Sequence, residues 1–139
     1  MSTTTDRQVF TEGDHVVHSG SCLATNTASI TARGDAVVHA RDWSGVKALE
    51  RASVLLRDSA VAFAFGESVV NATGDSWTFA RENATVYASE RARVTAHGNT
   101  TIYASGDAWV CMAEDFTGTV TLVNNATSRP ERYATYNED

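Results

Sequence analysis

The chain of 139 residues is short of several things, and each shortage excludes something. No apolar run approaches the roughly 18 residues needed to cross a bilayer, which excludes a membrane-spanning helix. The first residues, MSTTTDRQ, lack the basic-then-apolar order of a secretory signal. The expected compartment is therefore a cytoplasm, that of a bacterial host. There are only two cysteines, Cys22 and Cys111. They fall in the first and last repeat units with opposite side-chain parity, so no intramolecular disulfide is expected. The single proline, Pro130, lies in the C-terminal tail. There is no excess of positive charge: 17 acidic against 11 basic residues give a net charge of −6. That balance disfavours direct binding to nucleic acid through a basic face. It suits a protein partner that is itself basic.

What the chain has in abundance is a period of eight. From Ser21 to Phe116 it divides into twelve octads with no insertion or deletion, among them SITARGDA, VVHARDWS, TVYASERA and TIYASGDA. The second position is small and mostly β-branched, as in Ile30, Val38, Val54, Val86 and Ile102. The fourth is alanine except at Leu56 and Met112. The eighth is Ala, Ser or Thr until Phe116, and the sixth is only Gly, Asp, Glu or Asn.

Side chains on a strand alternate between faces, so Val-x-Ala reads as a short strand with its small residues inward. The sixth position breaks the strand. Gly, Asn and Asp accept positive φ there, whereas Glu does not share that preference. A charged residue at this position must reach solvent, which places it at a corner. A fixed short period with no room for a helix predicts an all-β parallel solenoid in which each octad forms one side of a coil. The alanines fit a narrow interior. Gly34, Gly66 and Gly98 alternate with Glu50, Glu82 and Glu114 within the even-numbered octads, which favours two octads per coil over three. Six such coils at about 4.8 Å would make a rod about 29 Å long.

The expected organisation is one domain in three parts. Residues 1–20 form an N-terminal tail and cap, with Val9, Phe10, Val16 and Val17 outside the octad register. Residues 21–123 form the solenoid. Residues 124–139 form a C-terminal tail or cap, in which Tyr133 and Tyr136 favour folding back. A cap is needed because an open solenoid end exposes unpaired strand edges.

Two sets of outward residues are candidate sites. Val61, Phe63, Phe65, Trp77, Phe79 and Trp109 fall on one face if coils hold two octads. A patch this apolar marks a contact, whether a partner site, a homodimer face or a surface covered by the C-terminal tail. The sixth-position acids Asp42, Glu50, Asp58, Glu82, Glu90 and Glu114 form two rows that are either an imitation of DNA phosphates or plain solvated corners. Seven interleaved arginines (Arg33, Arg41, Arg51, Arg57, Arg81, Arg91 and Arg93) predict that much of this charge is paired. His15, His18, His39 and His97 show no metal spacing beyond one pair, and no cofactor site is expected. No G-x-S-x-G or comparable element presents a nucleophile beside a base, so an enzyme ranks last. The Asn-x-Thr sequons at Asn71, Asn83, Asn99 and Asn125 follow from the repeat composition.

The octads resemble short-repeat β-solenoids, over about 96 of the 139 residues. The likeness extends loosely to pentapeptide-repeat proteins, some of which are acidic DNA mimics. It also extends to ice-nucleation repeats, whose sixteen-residue unit divides into octads but whose T-x-T ladders are absent here. Hexapeptide acyltransferases match in neither period nor histidine base. Small size, acidic balance, rod shape and the lack of catalytic motifs lead to the expectation of a non-enzymatic binding protein. Its concrete form is a phage or mobile-element inhibitor, of the anti-CRISPR or topoisomerase-inhibitor type, that blocks a nucleic-acid-binding host complex by acidic mimicry. The alternative is a structural or self-assembling rod, such as a phage fibre segment or scaffold.

Overall fold

A computed structural model describes residues 8–123 and the strand 127–130. Among the described residues there are sixteen strands and no helix. Odd-numbered strands form one parallel sheet: β1 (Gln8–Phe10), β3 (Ser21–Ala24), β5 (Val37–Ala40), β7 (Ser53–Leu56), β9 (Val69–Ala72), β11 (Thr85–Ala88), β13 (Thr101–Ala104) and β15 (Thr119–Leu122). Even-numbered strands form the other: β2 (Asp14–Val17), β4 (Ser29–Ala32), β6 (Gly45–Ala48), β8 (Val61–Ala64), β10 (Trp77–Ala80), β12 (Arg93–Ala96), β14 (Trp109–Met112) and β16 (Thr127–Pro130). The chain alternates between the sheets, so each coil holds one strand of each. In the octad region successive coils are in register sixteen residues apart, as Val54 opposite Val70 and Thr78 opposite Val94. Two octads per coil is therefore the arrangement.

The inward positions explain the shape. Residues of the second, fourth and eighth octad positions from Cys22 to Val110 are buried almost without exception. The interior is walled by alanine and β-branched side chains, because two sheets joined by four-residue corners leave no room for more. Leu56 takes an alanine position yet is 1 % exposed, and Ala62, in the same coil, takes a valine position. The larger residue on one sheet thus coincides with a smaller one on the other, the exchange that would keep the packed volume close to constant.

Eleven of the twelve octads close their corner with the same bond: the N–H of the eighth residue donates to the carbonyl of the fifth, as Ala60 to Arg57 and Ala92 to Ser89. The sixth residue is left-handed at every octad from Asn26 to Gly106, with φ between 54° and 68°. Glu50, Glu82 and Glu90 adopt it as well, at φ near 60°. At Gly66 the conformation coincides with a close approach: a Cβ there would stand 3.1 Å from the backbone N and O of Glu50, in the coil beneath.

Both ends continue the stack. β1 and β2 pair with β3 and β4, Gln8 opposite Cys22 and Asp14 opposite Ser29, so the segment expected to cap the rod is itself a slightly shorter coil. Phe10 stacks on His15 at 4.0 Å there. At the other end Thr101 lies opposite Thr119 and Trp109 opposite Thr127, a coil longer by two residues. Of the expected C-terminal segment 124–139, only β16 is described, and it extends the even sheet. Asn124, Asn125, Tyr133 and Tyr136 lie outside the described residues. Cys22 points inward on β3 and Cys111 outward on β14, near opposite ends of the rod and in different sheets.

Candidate functional site

Because the inward positions of both sheets are nearly uniform, any site must be built from outward positions and corners. Within residues 21–116 all eleven acidic residues occupy the sixth or seventh octad position, which the fold turns into corners. From Ser21 to Met112 the outward positions of both sheets carry no acid at all.

The corner acids have a structural task. At five sixth positions the carboxylate reaches back one coil and accepts a hydrogen bond from the sixth-position N–H there. Asp42 accepts from Asn26 at 3.0 Å, Glu50 from Gly34 at 2.6 Å and Asp58 from Asp42 at 3.2 Å. Glu82 accepts from Gly66 at 2.5 Å and Glu90 from Gly74 at 2.7 Å. A charge-assisted bond of this kind offsets the cost of about 1–2 kcal/mol of holding a non-glycine residue at positive φ. The Gly/Glu alternation along the even corner has the same origin. Glycine leaves room over the coil below and offers its N–H to the glutamate above. Glu114, in the last octad, lies outside the left-handed series. Five of the six acids proposed as a partner surface are thus anchored to the rod's own backbone.

The seventh positions carry ladders of exposed side chains: Arg51 to Asp35 at 3.4 Å, Arg91 to Asp75 at 3.0 Å and Asn99 to Asn83 at 3.1 Å. Arg33 lies 3.9 Å from Glu50. Part of the expected charge pairing is therefore present. Arg41, Arg57 and Arg81 have no carboxylate within ion-pair distance among the described residues.

The apolar candidates come together on the even sheet. Phe63 on β8 lies opposite Phe79 on β10, their rings stacked at 5.0 Å, and Trp77 stacks on Phe79 at 5.7 Å. Val61 lies opposite Trp77. Phe65 follows β8, half-buried, with the Lys47 ammonium 5.9 Å from its ring centre. Trp109 shares the row with Trp77 but lies two coils away, with Arg93 between them. The Arg93 guanidinium covers the Trp77 ring at 5.4 Å. Even so, Phe63 is 44 % and Trp77 40 % exposed. β16 extends the end of this sheet and does not cross its outer face.

Three features escaped the sequence reading. Trp43, at a seventh position otherwise polar, projects from a corner at 74 % exposure. Tyr87 and Tyr103 stack at 5.1 Å on the outside of the odd sheet. A trough runs along that sheet between the third- and fifth-position rows, floored by the fourth-position residues Ala40, Leu56, Ala88 and Ala104, with cavities of about 300, 440 and 200 Å³ that share residues end to end. The same parity argument applied to the odd octads would have found the tyrosine pair.

Of the histidines, His15 bonds the Glu12 carbonyl at 2.9 Å and His97 lies 3.1 Å from an Asp115 carboxylate oxygen. Among the described residues no group of three or more His, Cys, Asp or Glu is placed to hold a metal. Among the same residues no helix is long and apolar enough to cross a membrane.

The coil defines the class of this molecule: a parallel β-solenoid of two sheets with sixteen residues per turn. Beyond that class no family model, no curated protein and no solved structure matches the chain.

Proposed function

We propose that this solenoid is a protein-binding rod and that its contact is the aromatic patch of the even sheet. The observation that carries the reading is the stack of Phe63, Phe79 and Trp77, left exposed and flanked along the rod by Lys47 on one side and Arg93 on the other. Aromatic anchors with a charged rim are what a contact needs: area to bury at the centre and orientation at the edge. The strands β6, β8, β10 and β12 set two cations and no acid on their outward positions. The fitting partner presents an apolar strip between acidic groups. Self-association through this face would bring four cations and no acid into one interface, whatever the orientation, which is why a different partner is preferred to a homodimer.

Mimicry of a DNA duplex is less well supported than the octads alone suggest. Eleven acidic and eight basic residues in 21–116 leave −3 over the twelve octads. A duplex of the same length, about 29 Å, carries roughly 17 phosphate charges. The acids are also engaged with backbone N–H groups. A blocking role toward a host complex remains compatible with a binding rod, but its contact would be the aromatic face. The likeness to pentapeptide-repeat and ice-nucleation rods is kept at the level of a thin, alanine-lined coil.

The test compares three tagged forms in affinity capture from host extract: wild type, Phe63→Ser with Trp77→Ser, and Lys47→Glu with Arg93→Glu. A partner held by the first and lost from both others is expected. Capture unaffected by either pair of changes overturns the reading. Sedimentation at rising concentration supplies the competing outcome: a dimer that the serine pair abolishes would assign the face to a second copy of the chain.

A further inference from the structure

The trough on the odd sheet holds a second, unrelated feature at its N-terminal end. β3, β5 and β7 stack in register, so Leu23, His39 and Leu55 form one wall. Arg41 and Arg57, each the first residue past its strand, form the other, one coil apart. Together with the Ala40 floor they enclose a cleft of about 300 Å³. At other corners of this rod arginines pair with an acid one coil away, as Arg51 with Asp35 and Arg91 with Asp75. Here two arginines are stacked on each other. Like charges in register are unfavourable unless something neutralises them.

The adjacent acids do not neutralise them. Asp42 and Asp58 directly follow the two arginines, but their carboxylates are turned to the backbone N–H groups of Asn26 and Asp42. Neither guanidinium has an ion-pair partner among the described residues. The walls are apolar at Leu23 and Leu55, which lowers the local dielectric and strengthens whatever charge interaction forms there. Guanidinium groups bind oxyanions through paired, parallel N–H bonds, and two of them match a dianion better than a monoanion.

We propose that the cleft between His39, Arg41 and Arg57 is a binding site for a phosphate monoester group. Such a group carries about −1.5 to −2 charge at neutral pH and three acceptor oxygens, enough for both guanidinium groups. The chain as a whole is acidic, at −6, so general attraction of anions does not account for binding. The site is on the sheet opposite the aromatic patch and stands or falls independently of it.

The probe is inorganic phosphate, titrated into isotope-labelled protein at constant ionic strength, with backbone amides and arginine Nε–H signals followed by NMR. Saturable shifts confined to residues 39–41 and 55–57 are expected. Arg41→Gln and Arg57→Gln should each weaken binding about tenfold or more, the loss of one charge-assisted pair. Arg81→Gln, which removes an arginine outside the cleft on the other flank, should leave it unchanged. Thermal unfolding gives a second readout: phosphate should raise the midpoint of wild type and not of the double variant, which itself should unfold no earlier than wild type. Non-saturating shifts, equal losses on Arg81→Gln, or acetate binding as well as phosphate would each overturn the assignment.

Discussion

The two sheets share one inward pattern and differ in how strictly they keep it. On the odd sheet the second position is apolar in every strand from Cys22 to Ile102, and β-branched at all but Cys22. On the even sheet it fails twice, at Ala62 and at Thr78. Those two residues belong to β8 and β10, the strands that carry Phe63, Trp77 and Phe79 outward. So the coils that depart from the interior rule also present the aromatic patch. Violations of local consistency tend to gather at functional sites. At the second position the odd sheet keeps its interior, with Leu56 at a fourth position its one enlarged residue; the even sheet relaxes that position where its outer face carries the Phe63, Trp77 and Phe79 rings.

The largest test of that contrast is the coil where bulk has moved between sheets. If Leu56 on β7 compensates for Ala62 on β8, Leu56→Ala should open a cavity and cost about 2–5 kcal/mol. Ala62→Val should overpack the same coil and cost about 1–3 kcal/mol. The double variant, which restores the repeat on both sheets, should be far more stable than the two costs added predict. Chemical unfolding of the four proteins measures the coupling. Simple additivity would mean that the two departures are unrelated and the compensation is not real.

The same contrast shows what could be read from the octads and what could not. The coil and its two-octad length follow from residues whose side chains point inward, such as Ala24, Ala40 and Val86, because a narrow interior admits few solutions. The aromatic face was legible for the same reason: parity alone puts Phe63 and Trp77 outside. The corner glutamates were not. Nothing in a single octad shows that the Glu82 carboxylate finds an N–H sixteen residues away, since that bond exists only once coils stack. The Arg41–Arg57 cleft escaped for a related reason. Position five looks like one more variable site until Ala40 and Leu56 beside it are seen to floor a trough.

A smaller effect is expected at the corners, where both sheets meet and follow one rule. Glu82 holds φ at 61° and accepts the Gly66 N–H. Glu82→Ala keeps the backbone cost and loses the bond, and should destabilise by about 1–2 kcal/mol. Glu82→Gly loses the bond but removes the backbone cost, and should fall close to wild type. The difference between the two variants, read from their unfolding midpoints, isolates the cost of the left-handed corner. Equal destabilisation would show that the carboxylate alone matters and that the corner is unstrained.

The smallest change has the opposite sign. Thr78 is fully buried on β10, and its hydroxyl has no hydrogen-bond partner among the described residues. Its neighbours in the ladder are Ala62 and Val94, which offer none. Burying an unpaired hydroxyl costs about 1–3 kcal/mol on the mutational scale. Thr78→Val keeps the shape and removes the polar atom, so it should raise stability by about 1 kcal/mol. The effect on the outer face of β10 is more informative than the gain itself. If the even sheet relaxes its interior so that Trp77 and Phe79 can adjust to a partner, the more stable Thr78→Val protein should capture that partner less well, although no contact residue has changed. Equal capture by a stabilised variant would mean that Thr78 is only a local defect, and that the interiors of the two sheets differ without consequence for the patch.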